Sequence, residues 1–251
     1  MPSTTSDAEE VLSHPDRSSS PVPVVSEEAG VLTLHFQSDY VQSQMVLDEP
    51  DSLALTYSRT MMAFELFKPA PQKIAMIGLG GGSMAKWCYR HHPQAELTMV
   101  EINPHVIALR DRFRIPKDDH RFRILCEDGT RFVAETSWKF DVLLVDAFGI
   151  DHLPPELCTQ RFYEDCYQAL TGSGLMVVNL CEENNHTILT RIRNSFRNQI
   201  LTSSDADGNT VVFASKGELP WPKGESPGSL QMKLKKFEKK YGLGKAMTPV
   251  S

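Results

Sequence analysis

The chain has 251 residues, 41% apolar and 23% charged, with a formal net charge of −6. This is ordinary globular composition for one large or two small domains, and its sign argues against a basic nucleic-acid binder. Five cysteines (88, 126, 158, 166 and 181) with no C-x-x-C pair argue against a disulfide framework, and no apolar run approaches the ~18 residues of a membrane span.

Residues 1–30 hold six acids, one arginine, seven serines and four prolines. So polar a segment cannot bury enough apolar surface to offset chain entropy, and a disordered acidic tail is predicted. A leader would place bases and then an apolar stretch here, so no signal peptide is expected and the cytoplasm is the expected location. Runs at 31–36 and 42–47 predict two antiparallel strands joined through Ser38-Asp39. They form a small β-hairpin module within residues 31–60.

From 61 to 215, strand and helix patterns alternate. Lys73–Ile77 is an apolar run that stops at glycines, and a helix is predicted over 83–90. Glu96–Glu101 is the next strand, followed by a helix over 104–112 with Asn103 as N-cap and Pro104 at its first position. Strands at 122–125, 140–145 and 174–180 alternate with helices at 130–136, 159–170 and 183–196. Runs at 200–202 and 210–214 flank Asp205-Ala-Asp-Gly208 and read as a terminal antiparallel hairpin. This order implies an α/β fold with a mostly parallel, doubly wound sheet. Beyond it, 216–251 holds eight lysines and three glutamates. Residues 219–228 read as a linker. Leu230, Leu234, Phe237 and Tyr241 then fall at helical spacing and predict a short basic amphipathic helix.

The first strand of this α/β region ends in Gly78-Leu-Gly80-Gly81-Gly82. Glycine permits positive φ in the strand-to-helix turn and lets a ligand approach the backbone. Glu101 ends the next strand 23 residues after Gly78, near the spacing of a carboxylate that accepts ribose hydroxyl bonds. Ser83 stands where a dinucleotide loop carries its last glycine, and no Gly-Lys-Ser/Thr follows, so a P-loop is excluded. The loop suits an adenosyl sulfonium ligand instead. Asp128, after the third strand, either accepts from an adenine amine or simply caps the next helix. Asp146, after the fourth, stands at a central strand's carboxyl end and faces the ligand crevice, which makes it the best catalytic candidate.

In this order, Met76-Ile-Gly-Leu-Gly-Gly-Gly-Ser83, Val100-Glu-Ile-Asn-Pro104, Glu127-Asp-Gly129 and Asp141-Val-Leu-Leu-Val-Asp146 resemble the spermidine synthase (polyamine aminopropyltransferase) family. So do Gln42-Ser-Gln-Met45, Asp48-Glu-Pro50, Leu53 and Tyr57 upstream. The resemblance implies a Rossmann-like methyltransferase fold behind an N-terminal β-module, and a homodimer. The implied reaction, in polyamine biosynthesis, moves an aminopropyl group from decarboxylated S-adenosylmethionine to a putrescine-like amine and needs no metal. It further implies that Gly78, Gly80, Gly82 and Gly129 cradle the nucleoside. Glu101 and Gln42 would meet the ribose, Ile102 the adenine ring and Asp128 its amine. Asp146 would orient and deprotonate the attacking amine, with Tyr57 and Asp151 beside the substrate.

The sequence also departs from the family. Gly81, Gly149 and Arg59 stand where acids are usual, and Asp151, Glu156, Glu182 or Glu183 are the available replacements. Two other readings stay open: a small-molecule methyltransferase using S-adenosylmethionine itself, and a nucleoside-binding protein without catalysis.

Overall fold

The computed structural model describes residues 20–36, 41–149, 153–181, 185–205, 208–219, 236, 237, 239, 248 and 249. The expected connection at Ser38-Asp39, Asp151, Glu182 and Glu183 lie outside them, as do Leu230, Leu234 and Tyr241 of the predicted basic helix.

Val24–Glu28 (β1), Val31–His35 (β2) and Val41–Val46 (β3) form an antiparallel sheet in that order. Strand β1 lies inside the stretch expected to be disordered, so the hairpin module is a three-stranded sheet. Ala29 and Gly30 take positive φ (47° and 77°) and fold β1 back onto β2 through a tight turn. Composition misled here because an edge strand needs little apolar surface. Val25 is half-buried against the core while Glu27 and Glu28 stay exposed, which suits an open sheet edge.

The second sheet has Lys73–Ile77 (β4), Glu96–Glu101 (β5), Phe122–Cys126 (β6), Phe140–Val145 (β7), Leu170–Leu180 (β8), Ile200–Ser204 (β9), Thr210–Ser215 (β10) and Thr248–Pro249 (β11). Its order is β11-β9-β10-β8-β7-β4-β5-β6. Strands β4 to β8 are parallel, and β9 to β11 join antiparallel. This is the doubly wound Rossmann-like methyltransferase fold with its terminal hairpin. Along β7, Val142 and Leu144 enter one core while Leu143 and Val145 enter the other, so each face buries alternate residues. One core takes the three-stranded sheet with Thr56–Met62 (α1), Ser83–His91 (α2) and Pro104–Ala108 (α3). The other takes Gly129–Glu135 (α4), Gln160–Ala169 (α5) and His186–Ser195 (α6).

One boundary differs in a way that shapes the site. The helix predicted over 104–112 ends at Ala108 because Phe113 and Ile115 turn inward to pack against the glycine loop. Lys86 of α2, buried at 2% exposure, holds that turn by donating to the Phe113 carbonyl at 2.8 Å. Burial lowers its ammonium to about 8. The basic tail is also tied to the fold. Phe237 is helical and buried among the first core, with exposed Lys236 and Lys239 beside it, and β11 pairs with the edge of β9.

Candidate active site

Strand order reverses between β4 and β7, and the loops leaving both strands meet there. The Gly78 N–H donates to the Val100 carbonyl (2.8 Å) and the Asp146 N–H to the Ile77 carbonyl (2.9 Å), so both loops are registered by the sheet itself. A crevice at such a reversal is where open α/β sheets hold ligands. Here it is a cavity of about 520 Å³.

Gly78 sits at φ 89°, and a Cβ there would overlap the Asp146 carbonyl. Glu101 is 9% exposed. Its Oε2 accepts from the Leu79 N–H (2.9 Å) and its Oε1 from the Asn103 N–H (2.8 Å). Burial raises this carboxyl above its usual range, and those backbone donors pull it back. The Ile102 and Gly80 N–H groups also bear on this carboxylate, which ties the glycine loop to the end of β5. Asn103 caps α3 by accepting from the His105 N–H (3.0 Å) and donates to the Pro21 carbonyl (2.8 Å). Ser20 and Pro21 thereby become part of the cavity wall. Ile102 is 50% exposed on that wall and offers an apolar face to a ring.

Asp128 caps α4: its Oδ1 accepts from the Thr130 N–H (2.7 Å), the Arg131 N–H (3.0 Å) and the Thr130 hydroxyl. The cap and the ligand contact are compatible, because the cap uses Oδ1 while the residue lines the cavity. Gly129 follows, with Ile77 in the space its Cβ would need.

Asp146 is held from both sides. The Tyr57 hydroxyl of α1 donates to Oδ2 (3.1 Å), and Asn179 Nδ2 of β8 donates to Oδ1 (3.1 Å). Burial, then the Asp146 charge, push the Tyr57 phenol well above its ordinary value, so it stays a donor. Gln42 Nε2 donates to the Gly149 carbonyl (3.4 Å) and bridges the three-stranded sheet to the loop after β7.

Gly78, Gly80, Gln42, Tyr57, Glu101, Ile102, Asp128, Gly129 and Asp146 therefore line one cavity. Gly82 does not. Its φ of 67° makes the turn into α2, and Ile115 lies 2.5 Å from where a Cβ would stand. The family departures also become physical. At Gly81, a Cβ would meet Ser43 Oγ at 2.7 Å and the Phe113 ring at 2.8 Å, so no acid fits there. Arg59 turns away from the cavity and donates to the Leu53 (2.7 Å) and Ala54 (3.2 Å) carbonyls. Glu156 reaches the cavity wall. Asn179 was not anticipated, although an amide in the apolar run Val177-Val-Asn-Leu180 is the signal that marks it.

Fold and cavity together define an α/β protein of the methyltransferase-fold class. The spermine/spermidine synthase domain matches residues 54–203. The chain is 36% identical over 234 residues to a polyamine aminopropyltransferase of Neisseria meningitidis, covering 91% of this chain and 88% of the relative. It is 34% identical over 223 residues to one of Chromobacterium violaceum, covering 87% and 84%. A probable spermidine synthase from Corynebacterium glutamicum superposes with a TM-score of 0.71 at 18% identity, over 91% of this chain and 94% of that one. Human methyltransferase-like protein 13, solved with SAH, gives 0.65 at 20% identity over 76% and 95%. The chain belongs to the spermine/spermidine synthase family.

Proposed function

We propose that this chain transfers an aminopropyl group from decarboxylated S-adenosylmethionine to a small-molecule amine, as an enzyme of polyamine biosynthesis. The observation that carries the reading is Asp146, clamped by Tyr57 and Asn179 in the same cavity as the Glu101-anchored glycine loop. Its close relatives are themselves named polyamine aminopropyltransferases.

On this reading Gly78, Gly80 and Gly129 leave room for the nucleoside. Glu101 and Gln42 meet the ribose, Ile102 packs on adenine, and Asp128 accepts from its amine through Oδ2. The acceptor nitrogen attacks the carbon next to the sulfonium. The C–S bond breaks with its electron pair going to sulfur, and methylthioadenosine leaves. The nitrogen sheds a proton to Asp146, which also holds it in line. Glu156, and Asp151 two residues past Gly149, are the carboxylates assigned to the acceptor's distal ammonium. A buried ammonium needs such a partner. The family's homodimer in the cytoplasm completes the reading, and light scattering of the purified chain tests the assembly.

No lysine or arginine lines the cavity among the described residues, and this favours the decarboxylated donor. The carboxylate of S-adenosylmethionine would be buried without a cation, and about 1.4 kcal/mol of that cost is a factor of ten in affinity. Calorimetry should find the decarboxylated donor bound at least tenfold tighter. Tighter binding of S-adenosylmethionine would instead favour methyl transfer.

Burial lifts the Asp146 carboxyl to about 6, against the opposing bonds from Asn179 and Tyr57. Only the carboxylate accepts a proton, so activity is gained as pH rises through that value. kcat/KM for the donor at saturating amine should fall about tenfold per pH unit below it. A profile flat down to pH 5 would contradict this assignment.

A further inference from the structure

Asp146 does not take its bonds from an isolated amide. Asn179, 1% exposed, donates through Nδ2 to Asp146 Oδ1 (3.1 Å) and to Asn209 Oδ1 (3.4 Å). Asn209 sits on the turn between β9 and β10. Its own Nδ2 lies 3.2 and 3.4 Å from the two Asp205 carboxylate oxygens, and its N–H donates to Asp205 Oδ1 at 2.9 Å. A carboxylate only accepts, so Asp205 forces Asn209 to turn its NH2 outward and its carbonyl toward Asn179. That carbonyl in turn requires the Asn179 NH2. Both hydrogens of the Asn179 amide are then spent, one on Asn209 and one on Asp146. Asn179 Oδ1 is left buried without a hydrogen-bond partner among the described residues. An amide free to flip would not hold that arrangement.

We infer that Asn209 and Asp205, outside the cavity, are positioning residues that lock the Asn179 amide so that Asp146 faces a donor and is kept as the carboxylate. With the lock removed, Asn179 can present Oδ1 to Asp146, an orientation that only a protonated carboxyl tolerates. The inference rests on the proposed role of Asp146 as proton acceptor. The other ionisable groups around Asp146 are Tyr57 on α1, Cys181 after β8, which acts electrostatically on Tyr57, and Glu101, Asp128 and Glu156 on the shared cavity wall. Among the described residues, no hydrogen bond joins Tyr57, Glu101, Asp128 or Glu156 to Asn179 or Asn209.

The test is the titration of the Asp146 side-chain carboxyl, followed by carbon-13 NMR in the full-length chain, for wild type, Asn209→Ala and Asp205→Ala. Both variants should raise its midpoint by about one pH unit, the scale of one lost hydrogen bond to a charged form. In the steady state the acidic limb of kcat/KM should move up by the same amount, with the rate above pH 8 within about twofold of wild type. An unmoved Asp146 midpoint in both alanine variants overturns the relay. If the carboxyl midpoint moves and the limb of activity does not, the relay stands and the role of Asp146 in proton transfer falls. If a variant unfolds, shown by a collapsed amide spectrum, the other alanine variant decides.

Discussion

Asp146→Asn should lower kcat about 10³-fold while nucleoside binding stays within a few-fold of wild type. Asparagine has the size of aspartate but cannot take the amine's proton, and general-base catalysis contributes about 10²–10⁴-fold. The site itself should survive. The substituted amide can turn its oxygen toward Asn179 Nδ2 and its NH2 toward Tyr57, whose hydroxyl can rotate to accept. Folding should not suffer either, since the change removes a carboxyl whose charged form burial already disfavours. Steady-state turnover and calorimetric binding of methylthioadenosine check both halves. Turnover within tenfold of wild type would remove Asp146 from proton transfer.

Gly78→Ala should be the most damaging of the glycine substitutions, costing about 3–5 kcal/mol. The residue sits at φ 89°, and the added Cβ would overlap the backbone oxygen of Asp146, an atom with no rotamer to adopt. Relief would separate the ends of β4 and β7, where Asp146 is registered through its N–H to Ile77. The thermal midpoint should fall by about 10 °C for a chain of this size, and activity should be lost with it. Gly80→Ala is the internal comparison. At φ 53° its Cβ would meet Ser43 Cβ at 3.5 Å, an ordinary contact, so only about 1 kcal/mol of backbone strain is expected. Equal midpoints for the two variants in a melting experiment would show that the close approach to Asp146 is not what requires glycine.

Most of the site's parts were legible because each is marked locally. Lys73–Ile77, Glu96–Glu101 and Phe140–Val145 form strands at their expected bounds, and each ends where a glycine or an acid interrupts an apolar run. Asn103 before Pro104 is a cap that spacing alone announces, and the structure shows it capping α3. The sequence by itself thus determined the alternating fold, the glycine turn and the carboxylates at the strand ends, since periodicity and turn chemistry act over a few residues.

What lay beyond reach was decided by pairs far apart in the chain. Tyr57 meets Asp146 across 89 positions and Asn179 meets it across 33, so neither partnership leaves a local pattern. The structure alone turned Arg59 onto the Leu53 and Ala54 carbonyls, filled the space at Gly81 with Phe113, and set Ile115 against Gly82. It also drew β1 out of an acidic tail, because a strand at a sheet edge is stabilised by hydrogen bonds to its neighbour more than by its own apolar residues. Residue identity and short spacing set which groups exist and on which elements. Only close packing of the folded chain sets which of them touch, and through those contacts the protonation of Asp146.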